Sequence, residues 1–595
     1  MALSPALALL TQRSQRSRYF WLGLSMMFAV IYGSLALQQA FASDYVVQDD
    51  ARQHIFWMQR FLDPALFPND LIADYFQAAA PIGYEWLYRS LAMLGFTPDF
   101  VSKVLPFFLG VITVGYGFFL SLEIFPLPFA AFISAALLNQ ALWGSDEISS
   151  ATPRAFLYPL LIAFLLYVLR QARWRGALVL VLQAIFYPPI ILISVGVLVL
   201  RLAQWQKGRF RLSTDWHDYS VVAAGMALIL ALAFYTGNLA EFGSIVSRAE
   251  AQTMPEFQPG GRNAFFRPDM AFWLDGYPGR SGIFHRRTSI PVTSWVGLLL
   301  PWFLWSSAKT QTSLRQLVRP HVDLLGQLLV VSFGLFLLAH LLLFELHLPS
   351  RYTSHTIRVV LVLAAGMVWV FLFEALFQWG DRWSRSATTS GRSPQNHQLK
   401  RWVGKGFPLL FVATFFITTF FYYPLFLNNY PKTAYYDLAD SGELYEFFQS
   451  QPQDSLIASL SNEASNIPSF AGRSVLVSQE HGLAYHTEYY RQFRQRVIDL
   501  LIAQYTDEPA VVAAFIQQYG VDFWLLDHHA FAPTYVSDSK WMRQFQPVAD
   551  QATEQIAQGQ VPIVSQAVQS CAVFERDRWT VLDANCVARS AQSAP

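Results

Sequence analysis

Runs of apolar residues, separated by short polar stretches, recur along most of the chain. An α-helix needs roughly 20 residues to cross a bilayer at about 1.5 Å per residue, and most of the runs approach that length, although some are short. The pattern therefore predicts a polytopic α-helical membrane protein. The runs that predict one span each are 19–41, 101–120, 127–143, 155–169, 221–237, 291–305, 324–346, 359–377 and 408–426.

The run at 176–200 is interrupted by Tyr187, Pro188 and Pro189, so it predicts either one kinked helix or a hairpin of two short helices. Lys and Arg decide between the two, because cytoplasmic loops concentrate these residues. With the N-terminus inside, a hairpin places five groups of basic residues in the cytoplasm, whereas a single helix would place the last three of these groups outside. The groups are Arg13, Arg16 and Arg18; Arg170, Arg173 and Arg175; Arg201, Lys207, Arg209 and Arg211; Lys309, Arg315 and Arg319; Arg382, Arg385, Arg392, Lys400, Arg401 and Lys405.

We therefore predict about eleven membrane segments, with the N-terminus in and the C-terminus out. The first apolar run is followed by AFAS, which imitates a signal-peptidase site, but the run is longer than a signal core usually is. It is predicted to be an uncleaved first span. The composition agrees, since 53% of the residues are hydrophobic and 14% are charged. A net charge of +1 gives no indication of a nucleic-acid partner.

Two domains are predicted. Residues 1–428 form the transmembrane domain, with outer loops at 42–100 and 238–290, and residues 429–595 form a small extracytoplasmic α/β domain. In the second domain, helical patterns at 442–448, 489–505 and 510–519 alternate with strand patterns at 455–460, 474–478 and 522–526. Cys571 and Cys586 flank two short predicted strands, and either a disulfide or two free thiols fits this location.

The acidic pair Asp49 and Asp50 comes directly after the first span and is followed by ARQHIFWMQRFL. Apolar residues at 51–62 share one helical face, which predicts a helix lying on the bilayer surface, and a second such helix fits 84–94. Asp is a favoured helix N-cap, but a cap needs only one Asp. The pair therefore indicates a shallow site that a lipid-linked substrate enters from the side.

The sequence DDARQH after the first span resembles the first outer loop of the GT-C glycosyltransferases. This superfamily includes protein O-mannosyltransferases, aminoarabinose transferases and oligosaccharyltransferase catalytic subunits, which use a polyprenyl-phosphate carrier. The resemblance implies that Asp49 and Asp50 are the catalytic acidic pair, with Arg52 as the basic position and His54 as a nearby polar one. It also implies a GT-C fold in the plasma membrane, the inner membrane of a bacterium, with a periplasmic C-terminal domain.

Two further outer segments fit the same resemblance. WGSDEISSATPRA follows the third span and contributes Asp146, Glu147 and Arg154, and many GT-C enzymes carry a second acidic motif in this position. LPSRYTSHTIR contributes Arg351 and Arg358, and a guanidinium can bind a leaving phosphate bidentately. The alternative for the two arginines is anchoring at lipid headgroups.

Three other polar segments are interpreted as ordinary connections. FWLDGYPGRSGIFHRR, which contains Arg280, predicts a solvated connector, with a basic loop that covers the site as the alternative. Glu480, His481 and His486 near SQEHGLAYH are predicted to be loop residues rather than acceptor ligands. Residues 384–405, rich in Ser, Thr and Arg, predict a flexible connection.

The expected reaction is transfer of a sugar from a polyprenyl-phosphate donor to a glycan, lipid or protein acceptor on the extracytoplasmic face. Asp49 would accept the proton of the acceptor hydroxyl with inversion at the anomeric carbon, while Arg351 and Arg358 stabilise the leaving phosphate. The chain has no zinc-ligand spacing, phosphate-binding glycine loop or serine-hydrolase elbow. A cytoplasmic nucleotide-sugar domain is also missing, which favours a lipid-linked donor.

Asp50, Asp146 and Glu147 would orient the acceptor or hold Mg²⁺ or Mn²⁺, because carboxylate oxygens suit these ions. A monophosphate donor can react without a metal, so metal dependence stays open at this stage. Two alternatives from other classes remain. One is a transporter or flippase of lipid-linked saccharide, and the other is a non-catalytic subunit of envelope assembly.

Overall fold

The computed structural model describes residues 11–206, 209–234, 237–274, 280–284, 290–307, 314–389, 394–422, 436–439 and 441–593. Within these residues, five helices are long and apolar enough to cross a membrane alone, and five shorter apolar helices accompany them. The α-helices of this part are α1 Gln15–Ala40, α2 Ala51–His54, α3 Leu71–Ala78, α4 Ile82–Met93, α5 Pro98–Ile124, α6 Pro128–Trp143, α7 Leu157–Leu169, α8 Arg173–Phe186, α9 Pro189–Leu202, α10 Trp216–Phe234, α11 Arg248–Thr253, α12 Ala271–Leu274, α13 Leu300–Ser307, α14 Asp323–Leu341, α15 Ser350–Thr389 and α16 Pro394–Phe416.

The interrupted run at 176–200 folds as two helices, α8 and α9, which have 14 residues each and are about 21 Å long. Arg173 at the start of α8 and Arg201 near the end of α9 line the same cavity. The two helices therefore run back along one another and turn at Tyr187 and Pro188. This is the hairpin that the arginine pattern favours.

Several basic residues predicted to be cytoplasmic meet at one end of the bundle. Arg170 and Arg319 both pair with Glu123, at 2.8 and 2.9 Å, and Arg173 pairs with Asp215. The chain leaves this end in α1 and reaches the acidic pair only after Ala40, at the other end. The helix ends are thus sorted by charge, whereas the number of spans and their orientation in a membrane stay predictions.

The bundle packs around α6, in which every residue is buried. Helix α15 approaches it so closely that a Cβ on Gly366 would lie 2.0 Å from Ser134 Oγ. At 40 residues, α15 is much longer than the predicted span 359–377. The polar start of α15, which hydropathy alone does not reveal, carries Arg351 in its first turn and Arg358 in its third.

The segment after the acidic pair differs from the prediction. Helix α2 has only four residues, and a 3-10 turn, Phe56–Phe61, follows it with Trp57 and Met58 fully buried. The predicted surface helix at 51–62 is therefore wrong, because its apolar residues pack inside the protein. The second one is present as α4, with Trp86 and Met93 exposed.

The predicted flexible connection at 384–405 is also wrong where the structure describes it. Residues 384–389 continue α15, and residues 394–405 belong to α16. The predicted domain boundary at 428/429 lies outside the described residues.

The C-terminal part contains a five-stranded mixed sheet with the order β6-β5-β7-β9-β8. Strands β5, β6 and β7 are parallel, while β9 is antiparallel to β7 and β8. The strands among the described residues are β1 Val46–Gln48, β2 Ala203–Gln206, β3 Arg209–Leu212, β4 Tyr436–Leu438, β5 Leu456–Ala458, β6 Ser474–Val475, β7 Phe523–Asp527, β8 Ala572–Arg576 and β9 Trp579–Asp583. The helices that flank the sheet are α17 Gly442–Gln449, α18 Ile467–Ala471, α19 Thr487–Tyr505, α20 Pro509–Tyr519, α21 Thr534–Asp538, α22 Val548–Ala557, α23 Ile563–Gln566, α24 Val568–Cys571 and α25 Ala584–Ser593.

One disulfide and one strand pairing stabilise the C-terminal part. Cys571 and Cys586 form a disulfide across the β8–β9 hairpin, with their Cα atoms 5.5 Å apart. Strand β4 pairs antiparallel with β1, so that Val46 lies opposite Leu438. Strand β1 ends at Gln48, directly before the acidic pair. The pairing with β4 therefore joins the start of the C-terminal part to the backbone next to Asp49 and Asp50.

Candidate active site

The acidic pair lies at the turn between β1 and α2. The side-chain oxygen of Gln48 accepts hydrogen bonds from the backbone N–H groups of Asp50 and Ala51, at 2.9 and 3.2 Å. Asp50 occupies the N-cap position of α2, yet its carboxylate makes no capping bond there. Helix capping therefore does not account for the pair, since the Asp50 carboxylate accepts no hydrogen bond from the first turn of α2.

Asp50 is joined instead to the second acidic segment. The guanidinium of Arg154 donates to Asp50 Oδ2, and the same Arg154 nitrogen lies 3.4 Å from Asp146 Oδ1. The Asp50 side chain is 29% exposed, whereas that of Asp146 is 5% exposed. Three residues predicted from two separate outer loops thus form one cluster, with Asp146 buried beneath the cation and Asp50 at its outer side.

Asp49 has a different environment from Asp50. Its Oδ1 accepts a hydrogen bond from Arg52, and its side chain remains 45% exposed. Arg52 also donates to Asn466 Oδ1 of the C-terminal part, at 3.1 Å. Arg52 therefore holds one carboxylate oxygen of Asp49, while nearly half of the side-chain surface of Asp49 stays exposed.

Glu147 and Arg358 form a buried ion pair below this cluster. Arg358 Nη1 lies 3.1 Å from Glu147 Oε2 and donates to Tyr158 Oη at 2.6 Å. The arginine side chain is 1% exposed. Arg358 thus neutralises Glu147 inside the helical bundle. Arg351, two turns earlier on the same face of α15, is only partly buried.

His347 is a site residue that the sequence interpretation missed. It immediately precedes α15 with φ of +64°, an uncommon backbone conformation for a residue other than glycine. Burial, and after it the charges of Arg351, Arg280 and Arg154, lowers the pKa of His347 to about 3. Part of the surface of His347 is nevertheless exposed.

Arg280 is the second residue that was missed, because the loop around it was interpreted as a connector. Its backbone carbonyl accepts from the N–H of Ser350 at the start of α15, at 3.4 Å, and its guanidinium donates to Tyr485 Oη at 3.0 Å. These contacts place Arg280 beside His347 and Arg351. Nothing in the local sequence signals this, since the contact partners are 70 and 205 residues away. The other charged residues of that loop, at 275 and 285–287, lie outside the described residues.

Glu480 joins the site from the C-terminal part, although it was predicted to be an ordinary loop residue. Arg262 lies 2.9 Å from Glu480 Oε1 and Arg52 lies 3.8 Å from Oε2, while the Gln53 amide also donates to Oε1. Burial raises the pKa of Glu480, an effect that Arg262 opposes and Asp49 reinforces. Glu480 is therefore the point where both outer loops and the C-terminal part meet.

The two histidines near the pair are uncharged at neutral pH. Burial lowers the pKa of His54 to about 4 against the favourable charge of Asp50, and it lowers the pKa of His481 to about 3. His481 is fully buried, with Nδ1 2.6 Å from Ser478 Oγ and Nε2 3.3 Å from the backbone oxygen of Arg52. His486 contacts Tyr75 Oη at 2.9 Å and does not reach the pair.

The predicted metal ligands do not fit a shared ion. Asp50 and Asp146 both face Arg154, and Glu147 faces Arg358, so a guanidinium occupies the position between the carboxylates. Across the described ranges, no group of three or more His, Cys, Asp and Glu side chains could hold one metal ion. The mechanism proposed below therefore contains no step through Mg²⁺ or Mn²⁺.

Comparison with known proteins gives a match to solved structures. No family model and no curated protein matches the chain. The archaeal oligosaccharyltransferase AglB from Archaeoglobus fulgidus, in complex with an inhibitory peptide and a dolichol-phosphate, is 10% identical with a TM-score of 0.52. That match covers 90% of this chain and 72% of AglB. ArnT from Cupriavidus metallidurans in the apo state is 13% identical with a TM-score of 0.47, covering 96% of this chain and 99% of ArnT.

At these identities the similarity concerns the fold. Oligosaccharyltransferase catalytic subunits belong to the class that the DDARQH segment resembles, and the match to AglB extends over nine tenths of this chain. The chain therefore shares the fold of this oligosaccharyltransferase, which is the kind of fold that the resemblance of the acidic pair implies.

Proposed function

We propose that this protein is a membrane glycosyltransferase that moves a sugar from a polyprenyl-phosphate carrier to an acceptor on the extracytoplasmic face. The observation that carries the proposal is the joining of Asp50 and Asp146 through Arg154, directly beside the half-exposed Asp49. Folding alone does not require carboxylates from two loops to be gathered around one cation at the mouth of a bundle. Such a cluster is expected where an enzyme binds an uncharged acceptor next to a charged donor.

Asp49 acts as the general base. Its carboxylate accepts the proton of the acceptor hydroxyl as that oxygen attacks the anomeric carbon, and the bond from this carbon to the donor phosphate oxygen breaks. Attack from the side opposite the phosphate inverts the anomeric configuration. Arg52 keeps Asp49 oriented, while Asp50 and Asp146, balanced by Arg154, align the acceptor hydroxyl with the carboxylate.

Arg351, Arg280 and His347 receive the phosphate as it leaves with the electron pair of the broken bond. The two guanidinium groups provide donors for phosphate oxygens, and burial together with their charges lowers the pKa of His347. A phosphate dianion would balance the positive charge of the two groups. Arg358 takes no direct part, because Glu147 neutralises it deep in the bundle.

The orientation follows from the charge distribution. With Arg170, Arg173 and Arg319 in the cytoplasm, the acidic pair and the C-terminal part face outward, in a bacterium toward the periplasm. The exposed apolar surface of α4, including Trp86 and Met93, lies in the interface of the inner membrane. The donor enters from the lipid at this level, and the acceptor is a glycan, a lipid or a protein.

The test is reconstitution of the purified protein in vesicles with a panel of polyprenyl-phosphate sugars and a cell-envelope extract as the source of acceptor. We expect release of polyprenyl phosphate together with a product whose anomeric configuration is inverted relative to the donor, as determined by NMR. Passage of intact donor across the vesicle membrane without any change in the glycosidic bond would overturn the proposal and favour a flippase.

A further inference from the structure

The C-terminal part contains a cavity that the proposed reaction does not use. It has a volume of about 700 Å³ and is lined in part by Asn462, Gln479, His529, Thr534, Lys540 and Trp541. These residues lie in loops and short helices around β7 and α21, and none of them belongs to a strand of the sheet. The cavity is therefore formed by loops and short helices and not by the edge of the sheet.

The cavity adjoins the active site along two paths. Gln479 precedes Glu480, which contacts Arg52, and the backbone oxygen of Gln479 accepts from Arg262 Nε at 2.9 Å. Asn462 begins the 3-10 turn Asn462–Ser465. Asn466, which follows this turn, accepts a hydrogen bond from Arg52 at 3.1 Å. A chain-like acceptor that lies in the cavity and continues past Glu480 reaches the arginine that holds Asp49.

The lining is polar and supplies both hydrogen-bond donors and acceptors. In the part of the chain that the structure describes, the side chains of Asn462, Gln479 and His529 make no hydrogen bond. Asp538 and Lys540 on the same wall carry opposite charges, so their charges cancel. An isoprenoid chain would leave these groups unsatisfied, which costs free energy for each one, and a strongly charged ligand finds no matching potential.

A polyhydroxylated ligand satisfies these groups better than a peptide does. Peptides are commonly bound by addition to a sheet edge or by apolar pockets for alternate side chains, and the lining provides neither. Amides and hydroxyl groups can donate and accept, as sugar hydroxyls do, and the partly exposed ring of Tyr535 offers apolar surface for a sugar ring.

We propose that this cavity binds a saccharide portion of the acceptor, at some distance from the hydroxyl group that is glycosylated. The inference rests on the proposed function, and it narrows the acceptor to a glycan or a glycan-bearing molecule. The saccharide is held between the Gln479 and Asn462 sides of the cavity, and its reactive end extends along Glu480 toward Asp49.

The full-length protein in nanodiscs is applied to a printed array of defined neutral and acidic oligosaccharides together with random decapeptides. We expect binding to a subset of the oligosaccharides. The variant His529→Ala/Lys540→Ala should bind them at least about tenfold more weakly, since it removes two hydrogen-bonding groups from the lining. His528→Ala, an exposed neighbour that does not line the cavity, is the matched control and should bind as the wild type does.

The variant Asp49→Asn separates this inference from the proposed function, because it should bind the same oligosaccharides although it lacks the base. Oligosaccharide binding without any transferase activity would support the cavity and refute the proposed reaction. Transfer that the double variant leaves unchanged would refute the cavity and support the reaction. Binding to decapeptides in preference to oligosaccharides, or to no probe at all, would also overturn the inference.

Discussion

The guanidinium of Arg154 donates a hydrogen bond to the carboxylate of Asp50, across 104 residues of sequence. This contact connects the turn after β1 with the loop between α6 and α7, and Asp146 adds a second carboxylate to the same cation at 3.4 Å. Since the Arg154 side chain is only 10% exposed, its charge is screened by these two carboxylates more than by water. The geometry of the acidic pair therefore depends on a residue that is distant in sequence.

Removing this cation should destabilise the protein. Arg154→Gln leaves Asp50 and Asp146 facing one another without a counter-charge, which should cost about 3 kcal/mol of unfolding free energy. In a cycle with Asp50→Asn, the double variant should lose about 1 to 3 kcal/mol less than the sum of the single variants. Denaturant-driven unfolding in mixed micelles measures these values.

The control for this cycle is the exposed ion pair Glu85 and Arg89, one turn apart on α4. Arg89 Nη2 lies 2.6 Å from Glu85 Oε1. Its coupling energy should be about 0.5 kcal/mol or less, because water and salt screen exposed pairs. Equal coupling energies for the two pairs would contradict the assignment of Arg154 as the central cation of the site.

The two arginines of α15 should respond differently to substitution. Arg351→Ala should raise the donor KM about 10- to 100-fold with little effect on unfolding, since it removes a charged hydrogen bond to phosphate. Arg358→Met should instead lower the unfolding free energy by about 3 to 5 kcal/mol, because it leaves Glu147 buried without its partner. Steady-state kinetics and unfolding of both variants measure the difference, and Arg351→Lys should recover part of the donor affinity.

Glu480 should act on the rate through Arg52. Glu480→Gln keeps the volume but removes the charge that Arg52 and Arg262 share, so Asp49 loses part of its orientation. We expect kcat to fall about 10- to 100-fold while the donor KM stays the same. Glu488→Gln, which removes an exposed ion pair with Arg491, is the control and should leave both constants unchanged. An increase in the donor KM with an unchanged kcat would argue against this role of Glu480.

His481 should make the contact between the C-terminal part and the first outer loop sensitive to pH. Its pKa is about 3 in the folded protein and about 6.5 in the unfolded chain, so the unfolded state binds the proton first as pH falls. The stabilising contribution is complete above about pH 6.5 and is lost as pH decreases toward about 3.

Thermal unfolding at about pH 7.5 and about pH 5.5 tests this expectation. The Tm of the wild type should be lower at the acidic pH, and His481→Gln should show a smaller decrease. The exposed His528→Gln should behave as the wild type does. An identical decrease in all three proteins would exclude His481 as the source of the pH dependence.

The sequence allowed the fold class and the acidic half of the site to be predicted, because both leave local signals. Apolar runs reveal helices such as α6, and arginine positions favoured the α8–α9 hairpin before any contact was known. Asp49 and Asp50 stand out because two adjacent carboxylates exceed what a helix cap needs.

Only part of the cationic half could be predicted, because Arg351 stands out in the sequence whereas Arg280 and His347 do not. Arg280 and His347 reach the site only through contacts with distant segments and through the backbone conformation at 347. Arg358 has the right spacing from Arg351, but the spacing does not reveal that Glu147 neutralises it. Trp57 and Met58 look like membrane-facing residues, and only tertiary packing shows that they are buried.

The central claim is that Asp49 is the base in sugar transfer, and Asp49→Asn tests it most directly. With donor and acceptor established for the wild type, we expect the transfer rate of this variant to fall about 10²- to 10⁴-fold, because the amide cannot accept the proton. Asp44→Asn, at an exposed position in the same loop, should keep the wild-type rate. Wild-type transfer by Asp49→Asn would contradict the account.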